Sequence, residues 1–275
     1  MNDILMQVRD LSYRYEDQTL ALDKVNLDIR RHERLAIMGS NGSGKSTLFL
    51  NLNGVYKPTS GQILYEGKPL DYSRKGLLQL RRNVGIVFQD PDNQLFCSSV
   101  AGEISFGLYN LGLEEEEIRT RVDQVCDRLS ITPFRTKPTH FLSGGQKKRL
   151  SIADILVMGP QLLILDEPFS SLDPKHARMI DDILEQLAQE GITVVIDTDH
   201  AYRWADRVVL LNNAHILAQG SPEQIFSDHE LLSQANLEAP QMLRVRDVLA
   251  NQGMLPSDCF PKTPEQLAEL LARKR

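Results

Sequence analysis

Several features are scarce in this sequence, and each scarcity excludes a class of protein. Its 275 residues include no window approaching 18 consecutive apolar residues, so no segment is predicted to cross a membrane as a helix. Residues 1–5 lack a basic region leading into an apolar core, which predicts no secretory signal. The three cysteines, Cys97, Cys126 and Cys259, are odd in number and widely spaced. They argue against a disulfide framework or a structural zinc site and favour a reducing cytoplasm.

Concentrated positive charge is also missing. Lys and Arg total 31 against 37 Asp and Glu, which gives a net charge of −6, and basic residues are scattered except at 272–275. Because nucleic-acid binding needs a concentrated basic face, we expect no nucleic-acid partner. The six histidines are isolated, and only His200 is a candidate functional residue. The remaining composition, 41% hydrophobic and 25% charged, is typical of a globular protein with one large domain or two smaller ones.

A phosphate-binding loop is the strongest motif in the chain. The pattern G-x-x-x-x-G-K-[ST] is matched by Gly39, Ser40, Asn41, Gly42, Ser43, Gly44, Lys45 and Ser46, with Thr47 next. Glycines let successive backbone N–H groups curl around an anion, Lys45 can reach the outer phosphates, and the Ser46 hydroxyl can bind Mg²⁺. A strand is predicted at 34–38 and a helix at 47–52, which would place a positive helix end beneath the phosphates.

Further polar residues follow predicted buried strands. Gln89 follows 84–88, Asp166 and Glu167 follow 161–165, and His200 comes shortly after 192–196. In open α/β sheets, ligands bind at the carboxyl edge of the strands, so we expect these side chains to face the nucleotide. Asp166 would hold Mg²⁺, Glu167 would polarise the attacking water, and His200 could contact the γ-phosphate.

The run L-S-G-G-Q at Leu142–Gln146 opens a predicted helix within a helical insertion at about residues 95–160. Ser143 is placed as the N-cap, and Gly144 and Gly145 free the backbone N–H groups of the helix start. Alone, this run indicates either ordinary capping or a second anion-binding helix end. Its position shortly before Asp166 favours the second interpretation.

Other segments predict supporting structure around this core. Alternating residues at 4–13, 25–29 and 61–65 predict a small antiparallel sheet. Tyr13 and Tyr15 are placed in the turn after its first strand, where one ring could stack on adenine or pack on a neighbour.

The C-terminal part of the chain carries no catalytic constellation. Runs at 208–211 and 216–218 predict a terminal hairpin, which makes 1–222 the first domain. Residues 223–275 predict short helices, which form either a packing or dimerisation appendage or a passive extension.

The ordered set of motifs closely resembles the ATP-binding subunit of ATP-binding-cassette (ABC) transporters over about residues 4–220. The resemblance implies an α/β P-loop NTPase cassette with a mostly parallel core sheet, an antiparallel β subdomain, a helical insertion and a small helical C-terminal extension. It also implies ATP hydrolysis with Mg²⁺ in a head-to-tail dimer of two ATP-binding subunits, identical or paralogous.

The same resemblance implies roles for individual residues. Ser143 and Gly145 of one subunit, within the run that also includes Gly144 and Gln146, would meet the γ-phosphate held by Lys45 of the other. Tyr15 would be the ring that stacks on adenine. Gln89 would join Mg²⁺ and water to the membrane partner, and Asp173 would cross the dimer interface.

A narrower resemblance points to the energy-coupling-factor branch. The runs G-K-P-L-D-Y-S at 67–73 and F-Q-D-P-D-N-Q at 88–94, with the C-terminal extension, look like ATPase subunits of cobalt or nickel importers. This implies an integral membrane coupling subunit, a substrate-binding membrane subunit, and a peripheral position on the cytoplasmic face of the membrane. A vitamin importer is the alternative. A soluble ABC ATPase acting on ribosomes or DNA is a further rival, which the single cassette and the absence of a basic face disfavour.

The chain departs from the family pattern at His200. The family usually shows Thr-His-Asp after the last core strand, whereas here the order is Thr198-Asp199-His200 and only five positions separate His200 from Ala205. Either a shortened loop brings His200 into the switch role, which we hypothesise, or Thr198 or Asp199 takes its place.

Overall fold

The computed structural model describes residues 3–196, 200–256 and 258–272. Strands in these residues form two sheets. The strands are β1 (Ile4–Arg14), β2 (Leu20–Arg30), β3 (Arg34–Met38), β4 (Ser60–Tyr65), β5 (Lys68–Pro69), β6 (Val84–Val87), β7 (Leu162–Leu165), β8 (Thr193–Ile196), β9 (Arg207–Asn212) and β10 (His215–Gly220).

The first sheet is antiparallel and has the order β2-β1-β4-β5. Its two long strands pair with several register shifts, because bulges interrupt the ladder between β1 and β2. Tyr13 lies within β1, in agreement with the strand predicted at 4–13, so its other predicted place, in the turn after that strand, was wrong. Its ring stacks on Tyr56 with centroids 4.8 Å apart, which keeps it in the sheet packing.

The second sheet is the core, with the order β10-β9-β3-β8-β7-β6. All its pairs are parallel except the terminal hairpin of β9 and β10. The predicted mostly parallel sheet with a closing hairpin is therefore confirmed. Parallel strands place their carboxyl ends at one edge, and β3, β6, β7 and β8 all end at that edge.

Helices cover the core sheet and extend beyond it. They are α1 (Lys45–Leu52), α2 (Arg74–Asn83), α3 (Val100–Asn110), α4 (Glu115–Arg128), α5 (Gly144–Leu156), α6 (Pro174–Gln189), α7 (Ala201–Trp204), α8 (Pro222–Ser227), α9 (His229–Gln234), α10 (Gln241–Asn251) and α11 (Pro264–Ala272). Within the ranges that the structure describes, none of these helices has both the length and the apolar character needed to span a membrane.

The core strands are apolar throughout because both of their faces are buried. In β3, Leu35 and Ile37 join the hydrophobic cluster beneath the antiparallel sheet and α1. Ala36 and Met38 point the other way, into the cluster formed with α3 to α6. This alternation fixes the strand register, since a slip by one residue would exchange the two faces.

The C-terminal helices pack against the rest of the chain. Tyr202 in α7 donates its hydroxyl hydrogen to the Pro261 carbonyl oxygen at 3.4 Å, and Lys262 pairs with Glu223 at 2.9 Å. Arg246 in α10 donates to the Cys259 carbonyl oxygen at 2.8 Å. These contacts fasten the segment before α11 to α7, α8 and α10.

Candidate nucleotide-binding site

The motif Gly39–Ser46 runs from the end of β3 into the first turn of α1, at the carboxyl edge of the core sheet. Gly44 is the N-cap of α1 and has a φ of 110°, a conformation that favours glycine. A Cβ at this position would also overlap the carbonyl oxygen of Ala21. The sequence therefore requires glycine where the loop enters the helix.

Two polar residues of this motif, Ser43 and Lys45, are buried. The Lys45 ammonium donates to the carbonyl oxygens of Gly39 at 2.6 Å and Ser40 at 3.2 Å, so it lies across the loop. Ser43 Oγ is buried and has no hydrogen-bond partner among the described residues. Since buried polar atoms are normally paired, this hydroxyl fits a loop that receives a polar ligand. Ser46 is exposed in the first turn of α1, and Asn41 is exposed on the loop.

Tyr15 lies beside the first turn of α1. Its hydroxyl is 2.6 Å from Thr47 Oγ1, and its ring meets the Tyr13 and Tyr56 rings edge-on at 5.3 Å and 6.1 Å. Tyr15 as a residue keeps 37% of its surface exposed. This position next to the loop leaves a partly exposed aromatic surface for the predicted base stacking.

The polar residues after β6 and β7 come together as predicted from the strand ends. Gln89 Nε2 donates to Glu167 Oε2 at 2.6 Å. Asp166 is buried, and its backbone N–H donates to the Val87 carbonyl oxygen at 3.0 Å. Glu167 has a φ of 43°, in the left-handed region that non-glycine residues rarely occupy. The turn therefore holds this carboxylate in a strained position beside Gln89.

His200 lies next to the same turn. Its ring stacks on Phe169 with centroids 4.4 Å apart, and Phe169 follows Glu167 by two positions. His200, at the start of α7, therefore packs against the residue two positions after Glu167. The alternative residues for the switch role, Thr198 and Asp199, lie outside the described residues.

The predicted N-cap at Ser143 is present as a capping box. Ser143 Oγ accepts from the backbone N–H of Gln146 at 3.4 Å, and Gln146 Oε1 accepts from the backbone N–H of Ser143 at 3.0 Å. Gly144 faces open space, whereas Gly145 is buried against the His176 ring. Ser143 and Gln146 therefore hydrogen-bond to each other at the start of α5.

Asp173 caps the start of α6 in a similar way. Asp173 Oδ1 accepts from the backbone N–H groups of Lys175 and His176, both at 2.9 Å. Asp173 Oδ2 is 2.7 Å from His176 Nδ1. The hydrogen bonds from the backbone and side chain of His176 lower the pKa of Asp173. The carboxylate is therefore held ionised at the head of the helix.

Sequence reasoning missed Lys148, which joins α5 to the Gln89 turn. Its buried ammonium donates to the carbonyl oxygens of Gln89 at 2.7 Å and Phe88 at 3.2 Å. Burial lowers the pKa of Lys148 to about 8, while Asp166 and other nearby carboxylates oppose that shift. Lys148 precedes Ile152 by four positions and therefore lies on the apolar stripe of the helix. This spacing was the signal in the sequence that Lys148 faces the protein interior.

Gln94, the last residue of the run at 88–94, is a second structural link that sequence reasoning missed. Its side-chain oxygen accepts from the backbone N–H of Phe88 at 3.2 Å, and its amide donates to the Ser151 carbonyl oxygen at 2.8 Å. The same amide donates to Asp154 Oδ2 at 3.2 Å. Burial raises the pKa of Asp154 to about 7. Gln94 and Lys148 together tie the segment after β6 to α5.

The comparisons with known proteins agree with this geometry. The family model described as ABC transporter matches residues 22–170. This chain belongs to the ABC transporter family, whose ATP-binding proteins hydrolyse ATP to power transport. Its relatives define the branch more closely. The energy-coupling factor transporter ATP-binding protein EcfA2 of Clostridium perfringens is 47% identical over 253 residues, which cover 90% of this chain and 89% of that protein.

Solved structures show the same fold. CbiO1 from Clostridium perfringens, part of the ABC transporter complex CbiONQ, has a TM-score of 0.76 and 46% identity, and the match covers 90% of this chain and all of that one. The ATP-binding cassette MJ0796, solved as a dimer bound to ADP and phosphate, has a TM-score of 0.72 and 27% identity over 79% of this chain and 99% of that one. The predicted ABC cassette fold and the resemblance to energy-coupling-factor ATPases are therefore confirmed.

Proposed function

We propose that this chain is the ATP-hydrolysing subunit of an energy-coupling-factor importer whose cargo is cobalt or nickel ions. The observation that carries the catalytic part is the contact between Gln89 and Glu167 at the sheet edge where the phosphate loop also lies. A carboxylate oriented by an amide, close to a phosphate-binding loop, is suited to activating water for attack on a phosphoryl group.

Each residue of the site has a separable role in this proposal. The loop amides and Lys45 stabilise negative charge on the transferring phosphoryl group. Glu167 orients the attacking water and accepts its proton, and Gln89 holds Glu167 in place. His200, beside the turn through Phe169, contacts the γ-phosphate. Tyr15 stacks on the adenine, next to the first turn of α1.

The residues present fit Mg²⁺ as the cofactor. Groups of three or more His, Cys, Asp and Glu side chains that could hold a metal are not found in the described ranges. Mg²⁺ does not require such a cage, because it is usually bound through one or two carboxylates and the phosphates of the substrate. Asp166, Ser46 and Gln89 would hold the ion, which supplies charge neutralisation at the phosphates when bound.

The second half of the site comes from another ATP-binding subunit, either a copy of this chain or a paralogue. In this proposal, Ser143, Gly144, Gly145 and Gln146 approach the nucleotide held by the other subunit's loop, and Asp173 crosses the same interface. The bond between Gln146 N and Ser143 Oγ is 3.4 Å, long for a hydrogen bond, so the hydroxyl is weakly held. The dimeric state of the similar MJ0796 cassette supports this arrangement.

The proposed cargo is inferred from similarity to known proteins. The runs at 67–73 and 88–94 and the similarity to CbiO1 support a cobalt or nickel importer. A vitamin importer is the second candidate, because the similar EcfA2 protein is named for energy coupling without a cargo. In either case, we place the chain on the cytoplasmic face of the membrane, bound to a coupling subunit and a substrate-binding subunit. Residues 1–222 form the cassette, with its helical insertion at about 95–160, and 223–275 form the extension.

The catalytic proposal is tested by Glu167→Gln. We expect hydrolysis to fall by at least about a hundredfold, because the general base is removed while the side-chain shape is kept. An ATP-bound dimer should then accumulate and elute early in gel filtration with ATP and Mg²⁺. Glu116→Gln, on the exposed face of α4, is the matched control. Unchanged hydrolysis in the Glu167 variant would refute the assignment.

The partners and cargo need a separate experiment. Co-expression with the membrane proteins encoded beside this chain, followed by purification, should yield a membrane complex that takes up labelled cobalt or nickel in vesicles when ATP is supplied. Uptake of a labelled vitamin instead would select the alternative cargo. Recovery of ribosomes or nucleic acid in place of membrane proteins would overturn the transporter function.

A further inference from the structure

His176 stands between two segments that the proposed function places at the subunit interface. It is the third residue of α6, and its Nδ1 lies 2.7 Å from Asp173 Oδ2. Its other edge covers Gly145 at the start of α5. A Cβ built on Gly145 would overlap the ring carbons and lie 2.9 Å from Nε2. One side chain therefore touches both the Asp173 turn and the L-S-G-G-Q helix start.

The chemistry of the contact fixes the orientation of the ring. Asp173 is ionised, because hydrogen bonds from His176 lower its pKa, so its Oδ2 accepts and the ring Nδ1 must donate. The Cγ–Cδ2 side of the ring then lies against Gly145. The ring is held by a charge-assisted hydrogen bond on one edge and by close packing on the other. Its side chain is only 25% exposed, which limits alternative rotamers.

Capping of α6 does not explain this arrangement. The cap itself is made by Asp173 Oδ1 and the backbone N–H groups of Lys175 and His176, which any residue at position 176 except proline could provide. The imidazole adds a second contact to the carboxylate and a packing surface for Gly145. Neither is needed to begin the helix.

We infer that His176 is a positioning residue that locks the Asp173 turn to the L-S-G-G-Q helix start, so that both approach the other subunit as one rigid unit. This inference rests on the proposed function, in which both segments face the partner's nucleotide. Because His176 holds these segments and not the phosphate loop of its own subunit, its loss should weaken ATP-dependent dimer formation.

The main experiment measures dimer formation in the Glu167→Gln background by analytical ultracentrifugation with ATP and Mg²⁺. His176→Leu fills similar space without a donor, and we expect about tenfold weaker dimerisation from the lost charge-assisted hydrogen bond. His176→Asn restores a donor at a similar position and should recover most of that loss. His229→Leu, at an exposed histidine on α9, is the matched control.

A second measurement separates positioning from general damage. Binding of a fluorescent ATP analogue to the unpaired chain should change by less than about twofold in His176→Leu, since the effect is confined to the interface. A comparable loss of nucleotide binding and dimerisation would contradict the inference. If the parent variant forms no dimer with ATP, the homodimer allowed by the proposed function fails. If the parent dimerises and His176→Leu does so equally well, only the role of His176 fails.

A double-mutant cycle tests the contact with Gly145 directly. Gly145→Ala places a methyl group against the ring, so it should reduce dimerisation more strongly in the parent than in a His176→Ala background. Non-additivity of about tenfold would support the intrachain contact. Additive losses would show that the methyl group acts elsewhere, and the positioning role would be rejected.

Discussion

The two glycine-rich helix starts of this chain solve the problem of unpaired backbone N–H groups in different ways. At α1, the N-cap is Gly44, which has no side chain to accept a hydrogen bond. At α5, Ser143 and Gln146 satisfy each other's backbone N–H groups in a capping box. The first start leaves its donors for an anion, whereas the second pairs two of its backbone N–H groups, those of Ser143 and Gln146, with side chains of its own chain.

This difference assigns stability and binding to different residues. The α1 start depends on a backbone shape that only glycine allows, and its Ser43 hydroxyl is buried without a partner among the described residues. The α5 start depends on side chains, and Lys148 and Gln94 hold its helix to the turn after β6. We therefore expect substitutions at the two sites to separate nucleotide affinity from folding stability.

The largest expected effect comes from Gly44→Ala. The φ of 110° and the overlap of the added Cβ with the Ala21 carbonyl oxygen should raise the free energy of the native loop conformation by about 3 kcal/mol. The loop should distort to relieve this strain. Nucleotide affinity should then fall by about a hundredfold in a fluorescent-analogue titration. Gly144→Ala, where the added Cβ meets open space, should leave the thermal unfolding temperature nearly unchanged. An equal fall in the thermal unfolding temperature of both variants would contradict the distinction between the two helix starts.

Lys148→Met tests the link from α5 to the catalytic turn. Loss of the bonds to the Gln89 and Phe88 carbonyl oxygens should loosen Gln89, which holds Glu167, and reduce kcat about tenfold with little change in KM. Lys147→Met is the neighbouring control, because the Lys147 ammonium pairs only with Asp92 at the surface among the described contacts. A steady-state assay in which both variants match the parent would argue that α5 does not position the turn.

The partly buried carboxyl of Asp154 should give α5 a pH dependence of its own. Its pKa in the folded chain is about 7, above the ordinary value of 3.8, so the folded state holds a proton that the unfolded state has released. Its contribution to stability is therefore full below about pH 4 and is lost as the pH rises to about 7. In the Asp154→Asn variant, the side chain at this position is uncharged at every pH of this range.

The measurement is thermal unfolding from pH 4 to pH 8, with the variant compared with the parent at each pH. The Asn variant should become more stable than the parent by a few degrees above pH 7, and the difference should vanish near pH 4. Asp182→Asn, at an exposed position on α6, should show no such trend. A constant difference across the range would contradict the protonated carboxyl.

The smallest effects come from the two serines. Ser143→Ala removes the cap and should cost about 1 kcal/mol, or a fall of about 2–4 °C in Tm. Ser43→Ala removes a buried hydroxyl that has no partner in the described part of the chain, so Tm should stay the same or rise slightly. Scanning calorimetry compares the two, and a larger loss at Ser43 would reverse the expected order.

Local patterns predicted much of the fold and the first layer of the site. Continuous apolar runs gave the core strands because both faces of that sheet are buried. The S-x-x-Q spacing predicted the cap at Ser143, and the strand ends predicted the approach of Gln89 to Glu167. These features depend on neighbours in sequence or on the common edge of a parallel sheet.

The misplaced and missed residues depend on contacts between distant segments. Tyr13 was assigned to a turn because polar residues follow it, but β1 continues to Arg14 against β2 and stacks Tyr13 on Tyr56. Lys148 is buried because α5 packs on the Gln89 turn, a contact between segments far apart in sequence. His176 gains its significance only where α6 meets the start of α5, a junction that sequence spacing does not reveal.

The left-handed backbone at Glu167 has a consequence for protein engineering. Glycine adopts that conformation without strain, so replacing the glutamate would relax the turn while removing the reactive carboxylate. The most heat-resistant form of this turn is therefore expected to be an inactive one, and selection for thermal tolerance alone would tend to erase turnover at this position.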